Sequence, residues 1–402
     1  MHDYVTELNC YVTELNRGVA PAAENEFHPL DLRRFRVWPP VVLAPMAGVT
    51  NSAFRRLCRS FGAGLYVSEM ITARGLIEGQ RKTRALAAFH PEESPRSLQL
   101  YGTDPAVLAE ATCRLVGEGA VDHLDLNFGC PVRKVTAAGG GAAIPIKPRL
   151  MARLVRSVVG SAGDVPVTVK VRLGVDDDHL SYLSSGRIAK EEGCAWIGLH
   201  ARTAAQLYDG EARWEAIGEL KAALGAFPVL GNGDVMEAFD ALRVVRATKC
   251  DGVIVGRGCL GRPWLFRELA EVFDGRAPPP PPRLGEVVAI LLRHAELLVE
   301  LFGPHFGVLE MRKWCGWYLK GFPHSGPVRN SLFRAQSLEE VRAVVADLPP
   351  DEPYPVAALR ARRCKRNGTQ KVALPDGYLD SLDDDVACEQ ARDGELAATD
   401  GG

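Results

Sequence analysis

VTVKVRLG (167–174), AWIGLHAR (195–202), PVLGNGDV (228–235) and GVIVGRG (252–258) decide the fold of this chain. Each is a short β-rich run that ends in polar or glycine residues. Four more precede them: VVLAPM (41–46), LYVSEM (65–70), SLQLYG (97–102) and HLDLNFGC (123–130). Amphipathic stretches such as PAVLAEATCRLVGEG (105–119) and RLMARLVRSVVGSAG (149–163) lie between them. Strand–helix alternation implies parallel strands joined by helical crossovers. Eight such units in roughly 230 residues match the count and size of an α/β fold of the (β/α)8 TIM barrel type. A doubly wound open sheet is the structural alternative, but no GxGxxG follows the first strand to mark a dinucleotide site.

The expected barrel spans residues 37–276. Five consecutive prolines, Pro278 to Pro282, come next. Such a run is a stiff, extended spacer, so residues 277–283 read as a linker. From Leu284 apolar residues recur at three-to-four spacing, as in EVVAILLRHAELLVELF (286–302). That predicts a smaller all-α helical domain over 284–350. Residues 1–36 read as an N-terminal extension, disordered and dispensable for the fold. They carry a tandem duplication, YVTELN at 4–9 and 11–16, too short for a solenoid repeat.

Composition excludes several classes. Of 402 residues, 47% are hydrophobic and 24% charged, ordinary values for a globular chain that buries its core without disulfides. No run of about 18 apolar residues marks a membrane span. No basic region followed by an apolar stretch marks a secretory signal. Ten cysteines are scattered without a CxxC or a zinc-spaced Cys/His cluster. That pattern predicts free thiols in a reducing, cytoplasmic compartment and no metal. The net charge of −2 conceals an asymmetry. Residues 376–402 hold nine acidic side chains and one basic, Arg392, and read as an acidic disordered tail. Within residues 351–375, LRARRCKRNGTQK (359–371) holds six basic side chains and no acidic one, which suggests an anionic partner.

In a barrel of this kind, chemistry belongs at the C-terminal ends of the strands. There the chain places Pro45 and Met46, Glu69, Gln99, Asn127 and Cys130, and Lys170 and Arg172. His200 and Arg202, Asn232 to Asp234, and Gly256 with Arg257 complete the rim. Pro131 has no backbone N–H and cannot continue the ladder, so the Cys130 thiol is presented at that rim. A buried structural cysteine is the plainer reading of a lone thiol, but so many polar groups on one rim weigh against it. Asn127 offers both donor and acceptors. A thiol and an amide at one strand end suit a planar, hydrogen-bonding substrate that needs a proton. GNGD (231–234) and GRG (256–258) put small residues after strands seven and eight, the usual phosphate site of this fold. Arg257 can add a charge-assisted contact there. Lys170 suits the N1/O2 edge of a flavin, where a cation favours the reduced ring. With backbone at Ala47–Gly48 free to approach a flat ring, the set reads as an FMN site.

APMAGVTNSAFR, LQLYG, NFGCP, VKVRLG, HART, GNGD, GRG and RKWCGWYLKGFP resemble, in order and in register, the tRNA-dihydrouridine synthases, most of all the bacterial B-type branch. The resemblance covers residues 40–345. It implies an FMN-dependent barrel and a tRNA-binding helical domain, acting as a monomer. The implied reaction reduces specific uridines in tRNA to 5,6-dihydrouridine with NADPH. By matching motif, Pro45 and Met46 would lie against the flavin, and Gln99, Lys170 and His200 would bond its ring or ribityl chain. Asn232, Gly233, Asp234, Gly256 and Arg257 would hold its phosphate end. Cys130 would be the proton donor, with Asn127 and Arg202 on the substrate. Two departures stand out. Ala137 and Ala138 occupy places where the family often has basic residues, and Trp314 stands where many members have histidine. A small-molecule flavin barrel of the dihydroorotate or dihydropyrimidine type would share the FMN site. It gives no reason for the proline spacer, the helical domain and the basic segment. A relict, RNA-binding barrel would not need Cys130, Lys170 and His200 together.

Overall fold

A computed structural model of the chain describes residues 11–62, 64–323, 325–363 and 368–385. A short antiparallel pair, β1 (Leu30–Asp31) and β2 (Arg36–Val37), comes first. Eight parallel strands then close into one barrel, in the order β10-β3-β4-β5-β6-β7-β8-β9. They are β3 (Val41–Leu43), β4 (Leu65–Thr72), β5 (Ser97–Tyr101), β6 (His123–Phe128), β7 (Val167–Arg172), β8 (Ile197–His200), β9 (Val229–Asn232) and β10 (Gly252–Val255). The TIM barrel expected from the eight β-rich runs is therefore present. Seven of the strands, all but β4, stop before the end of their runs, which frees NFGCP, GNGD and GRG to turn at the rim.

Side chains along a strand alternate between its two faces. Val41, Leu43, Val253 and Val255 pack outward into the shell shared with the helices. Val42, Ala44, Leu65, Val67, Leu230 and Ile254 form a separate inner cluster. Leu30, Leu32 and Val37 belong to that inner cluster, so the β1–β2 hairpin plugs the end of the barrel opposite the rim. The sequence reading makes residues 1–36 a disordered, dispensable extension; in the structure residues 11–36 pack on the barrel, and residues 1–10 lie outside the described residues. Asn16 Nδ2 donates to Asp240 at 3.2 Å, Ala22 N–H donates to Val272 O at 2.8 Å, and Arg246 pairs with Glu26 at 2.6 Å. The open barrel end exposes apolar side chains, and covering them is favourable. A two-residue strand is too short to show a period in sequence. The first YVTELN copy lies outside the described residues.

The described parts of the C-terminal segments make contacts that composition did not suggest. The basic stretch finds acidic partners that are distant in sequence. Arg360 meets Glu237 and Asp240, each at 2.8 Å, at the start of the helix Ala238–Thr248. Arg363 is 2% exposed, and its guanidinium donates to Ala358 O at 2.6 Å and to the Tyr354 hydroxyl at 3.0 Å. Arg363 is buried and structural, and Arg360, 28% exposed, is committed to two acidic partners. Lys365 and Arg366 lie outside the described residues. The acidic tail is exposed over most of its described residues, 376–385, but it touches the barrel at three points. Tyr378 is 4% exposed, and Asp384 and Asp385 pair with Lys147 and Arg153 at 2.8 and 2.9 Å. Residues 386–402 lie outside the described residues.

Residues 277–283 form no helix or strand, as the proline run requires. The helices Leu284–Phe302 and Pro304–Tyr318 follow, then Ser325–Arg334 and Leu338–Val345. The first pair packs on the helix Ser52–Arg59 of the barrel. Trp314 is fully buried there, with its ring 4.4 Å from both Phe54 and His294. Its place in the family pattern is therefore one of packing. The His294 imidazole, held to the Tyr318 hydroxyl at 3.1 Å, is pushed down by burial to about 3 and stays neutral.

One buried ion pair fixes the barrel's entry loop. Arg55 and Glu93 are 2% and 7% exposed and meet at 2.6 Å, with a second contact at 3.0 Å. Glu93 also accepts from Ser52 Oγ and His90 N–H. Removing one partner leaves the other charged and buried. Glu93→Ala is therefore expected to cost about 3–5 kcal/mol in denaturant unfolding. A loss below about 1 kcal/mol, the worth of a surface pair, would show that water reaches Arg55.

Candidate active site

A cavity of about 390 Å³ opens at the C-terminal ends of the strands. That is within the usual size for a small-molecule site. Of the thirteen residues given a role from sequence, twelve line it. Pro45, Met46, Gln99, Asn127, Cys130 and Lys170 lie toward one side of the strand order, and His200, Asn232, Gly233, Asp234, Gly256 and Arg257 toward the other.

Arg202 is the exception. It is 1% exposed and sits behind the wall, where its guanidinium donates to the Asp234 carboxylate at 2.7 and 2.8 Å. It also donates to the carbonyls of Asp209 and Gly210 at 3.1 and 2.8 Å. The expectation that Arg202 contacts substrate is corrected: it braces the loop after β8 against the loop after β9. Asp234 in turn accepts from Ala212 N–H at 2.7 Å and lies 3.6 Å from Arg257. Its φ of 55° and that of Gly233 at 137° turn the chain sharply here, and glycine supplies the rarer conformation without a Cβ penalty.

Several wall residues use their polar groups on one another. Asn127 Oδ1 accepts from the N–H groups of Gly129 and Cys130 at 3.1 and 3.0 Å, while its Nδ2 donates to Gln99 Oε1 at 2.9 Å. The amide thus fixes the turn that presents the thiol. Gln99 Nε2 donates to Asp125 at 2.7 Å, and Thr168 donates to the other Asp125 oxygen at 2.7 Å. His123 lies deeper, 3.0 Å from Thr168 and 2.7 Å from Ser97. Burial holds it near 3, so it is a neutral spacer. Asn232 Nδ2 is spent on Ile254 O at 2.8 Å, tying β9 to β10.

The charges are set by burial. The Lys170 ammonium makes no hydrogen bond or ion pair among the described residues. Burial, then Arg172, pushes it down to about 7, and Asp125 pulls the other way. An anion placed beside it would raise it again. Burial also holds His200 well below the usual imidazole range, helped by Arg172 and Lys170. The Cys130 thiol is raised above its ordinary 9.0 by burial, against the opposing pull of the Val132 backbone and Arg172. It is therefore a protonated thiol at neutral pH.

Three more wall residues carry the site: Arg172, named at the rim from sequence but given no role, and Tyr208 and Trp317, which sequence reading did not place there. Arg172 donates to the carbonyls of Gly129, Thr203 and Leu207, each at 2.9 Å. Tyr208 stands 4.6 Å beneath the Arg257 guanidinium and 5.6 Å from that of Arg172, a cation–π bracket at the cavity mouth. Trp317 reaches the wall from the helical segment. Gly261 lets it come: a Cβ there would stand 2.5 Å from the Trp317 backbone. Lys313, on the same helix, donates to Gly48 O at 2.6 Å, and Gly48 N–H is held by Glu69. The helical segment thus helps build the cavity. Among the described residues, no group of three His, Cys, Asp or Glu side chains could hold a metal ion. No helix among them is long and apolar enough to cross a membrane.

A closed parallel barrel whose rim gathers a protonated thiol, a buried lysine and two glycine-rich turns is the architecture of a (β/α)8 enzyme. The model of the family described as dihydrouridine synthase (Dus) matches residues 42–350. A Mycobacterium tuberculosis protein named "Probable tRNA-dihydrouridine synthase" is 48% identical over 377 residues, 92% of this chain and 95% of its own. The "tRNA-dihydrouridine synthase B" of Xanthomonas campestris is 42% identical over 313 residues, 78% of this chain and 93% of its own. Among solved structures, the histamine dehydrogenase of Rhizobium sp. 4-9 superposes with a TM-score of 0.47 at 14% identity, over 67% of this chain and 50% of that one. The chain belongs to the dihydrouridine synthase family.

Proposed function

We propose that this protein reduces uridines in tRNA to 5,6-dihydrouridine, with FMN as its cofactor and NADPH as reductant. The observation that carries the reading is a protonated thiol and an otherwise partnerless ammonium facing one cavity, on a chain of this family. The residues fit the cofactor. Ala44, Pro45 and Met46 offer an apolar wall to a flat ring. A Cβ on Gly256 would meet only Ala44 and Met46, at 3.6 and 3.7 Å, so its absence widens the corner beside Arg257. Asp234 sits there too, but Arg202 and Arg257 neutralise it. Its part is to hold the loop, and the phosphate falls to the glycine backbone and Arg257.

Bound FMN would supply the hydride that adds to C6 of uracil. This chain supplies the rest. Cys130 gives the proton to C5, and the Asn127 amide keeps the thiol-bearing turn in place. Lys170 would hold the N1/O2 edge of the ring and favour its reduction by offering a cation there. Neutral His200 and the Gln99 amide offer hydrogen bonds without adding a second cation. The exposed helices after residue 284 and the rim carry the tRNA. The target base must leave its stack to enter a cavity walled by the strand ends.

The thiol must be protonated to act, and its raised pKa widens that range upward. The tRNA-dependent rate is expected to hold level from neutral pH to about 9 and to fall only beyond it, as the ordinary value lies at 9.0. A fall centred near pH 7 in reoxidation by tRNA, with reduction by NADPH level across that range, would assign the acid elsewhere; a fall in reduction would instead report the Lys170 charge. The reading as a whole is tested by mapping dihydrouridine at nucleotide resolution in a strain lacking this gene. Specific tRNA uridines should lose the modification and regain it on complementation; an unchanged map would reject the proposal.

A further inference from the structure

The chain beyond residue 350 lies outside the stretch matched by the family model, yet it returns to the rim beside the thiol. Gln370 N–H donates to Ala205 O at 2.8 Å, and its side-chain Nε2 donates to Pro131 O at 2.9 Å and to Ala204 O at 3.2 Å. One amide thereby ties the loop after β6 to the loop after β8. Eight residues on, the Tyr378 hydroxyl lies 3.2 Å from Gly139 O and 3.3 Å from Ala143 O. Its ring packs with Ala143, Ile146 and Val175, and Val372 and Leu374 pack against that cluster.

Both anchors bear on Cys130. Pro131, whose carbonyl Gln370 holds, is the next residue. Ala142 N–H, inside the segment that Tyr378 spans, donates to Cys130 O at 3.0 Å. That contact is close-packed: a Cβ on Gly141 would stand 2.6 Å from Cys130 O. Asn127 restrains the thiol-bearing turn from the barrel side, and the C-terminal segment restrains it from outside.

We propose that residues 368–385 are a strap that positions the Cys130 thiol, with Gln370 and Tyr378 as positioning residues for proton delivery. The proposal rests on Cys130 being the acid. A thiol misplaced by a fraction of an ångström to an ångström loses much of its use as a proton donor, whereas flavin binding and reduction do not involve it. The strap also adds its own surface, including Gln370 and Lys371, to the face that a macromolecular substrate must approach.

The experiment uses the full-length, FMN-loaded protein and two variants that keep side-chain bulk, Gln370→Met and Tyr378→Phe. Three quantities are compared: flavin reduction by NADPH, flavin reoxidation by saturating tRNA transcript, and the alkylation rate of the Cys130 peptide by iodoacetamide, read by mass spectrometry. Reduction should stay at the wild-type rate. Reoxidation at saturation should slow about tenfold in Gln370→Met, with little change in the tRNA concentration for half-maximal rate. Cys130 alkylation should change several-fold in the same variant, and in the same direction in Tyr378→Phe. Wild-type reoxidation and wild-type alkylation in both variants would overturn the strap. So would a parallel fall in reduction and reoxidation with Cys130 alkylation unchanged, since that marks a merely structural role. If wild-type protein itself were not reoxidised by tRNA, the parent reading would fail, and the alkylation arm would still report on the strap.

Discussion

Cys130→Ala is expected to keep its flavin, to be reduced by NADPH at the wild-type rate, and to lose about 10²-fold or more of its turnover on tRNA. The thiol lines the cavity but takes no part in the cofactor corner at Gly256 and Arg257. Its backbone N–H stays bonded to Asn127 whatever the side chain, so alanine leaves the turn in place. What disappears is a proton held at neutral pH by burial. Rapid-reaction absorbance measurements on each half-reaction separate the two effects. A variant that modifies tRNA at close to the wild-type rate would move the acid to another group.

The second large effect concerns the cofactor and divides between two cations. Arg257→Ala should weaken FMN binding by roughly tenfold to a hundredfold, the worth of one charge-assisted hydrogen bond. Lys170→Met should retain FMN but slow its reduction, because the cation facing the electron-rich edge is gone. The direction follows from the environment: burial disfavours the Lys170 charge until an anion arrives beside it, so the lysine interacts more strongly with the reduced ring than with the oxidised one. Fluorescence titration with FMN and stopped-flow reduction distinguish the two roles. Normal binding and normal reduction in both variants would place the cofactor elsewhere. Asn232→Ala, by contrast, should act through the β9–β10 seam, where its amide is already committed to Ile254 O.

How much was legible in sequence follows from what each feature depends on. The eight strands announced themselves because parallel barrel strands are apolar on both faces and each ends in a turn rich in glycine or polar residues. The rim was legible for the same reason: once strand ends are located, the fold dictates that they converge. Arg202 was misplaced because position alone does not say which way a guanidinium is spent. Its strand end is right, but Asp234 and two carbonyls claim it first. The polar column of Ser97, His123, Asp125 and Thr168 went unread because each residue is unremarkable in its own strand, and only the register of β5, β6 and β7 stacks them. The contacts of the two chain ends were the least legible. The N-terminal hairpin and the basic and acidic C-terminal segments have the composition of solvated peptide. Their partners, Asp240, Glu237, Lys147 and Arg153, lie more than a hundred residues away, beyond any local pattern. Neutralising Arg360 and Arg363 would therefore loosen the fold and does not serve as a probe of RNA contact.

The most direct measurement is a single turnover under anaerobic conditions. Protein reduced with NADPH and freed of excess reductant is mixed with an unmodified tRNA transcript and, separately, with orotate or free uracil. If this chain is a tRNA-dihydrouridine synthase, the oxidised flavin spectrum returns with tRNA, one dihydrouridine forms per flavin, and the small pyrimidines leave the reduced spectrum unchanged on that timescale. Reoxidation by a small pyrimidine while tRNA has no effect would contradict it and identify a small-molecule reductase built on the same barrel.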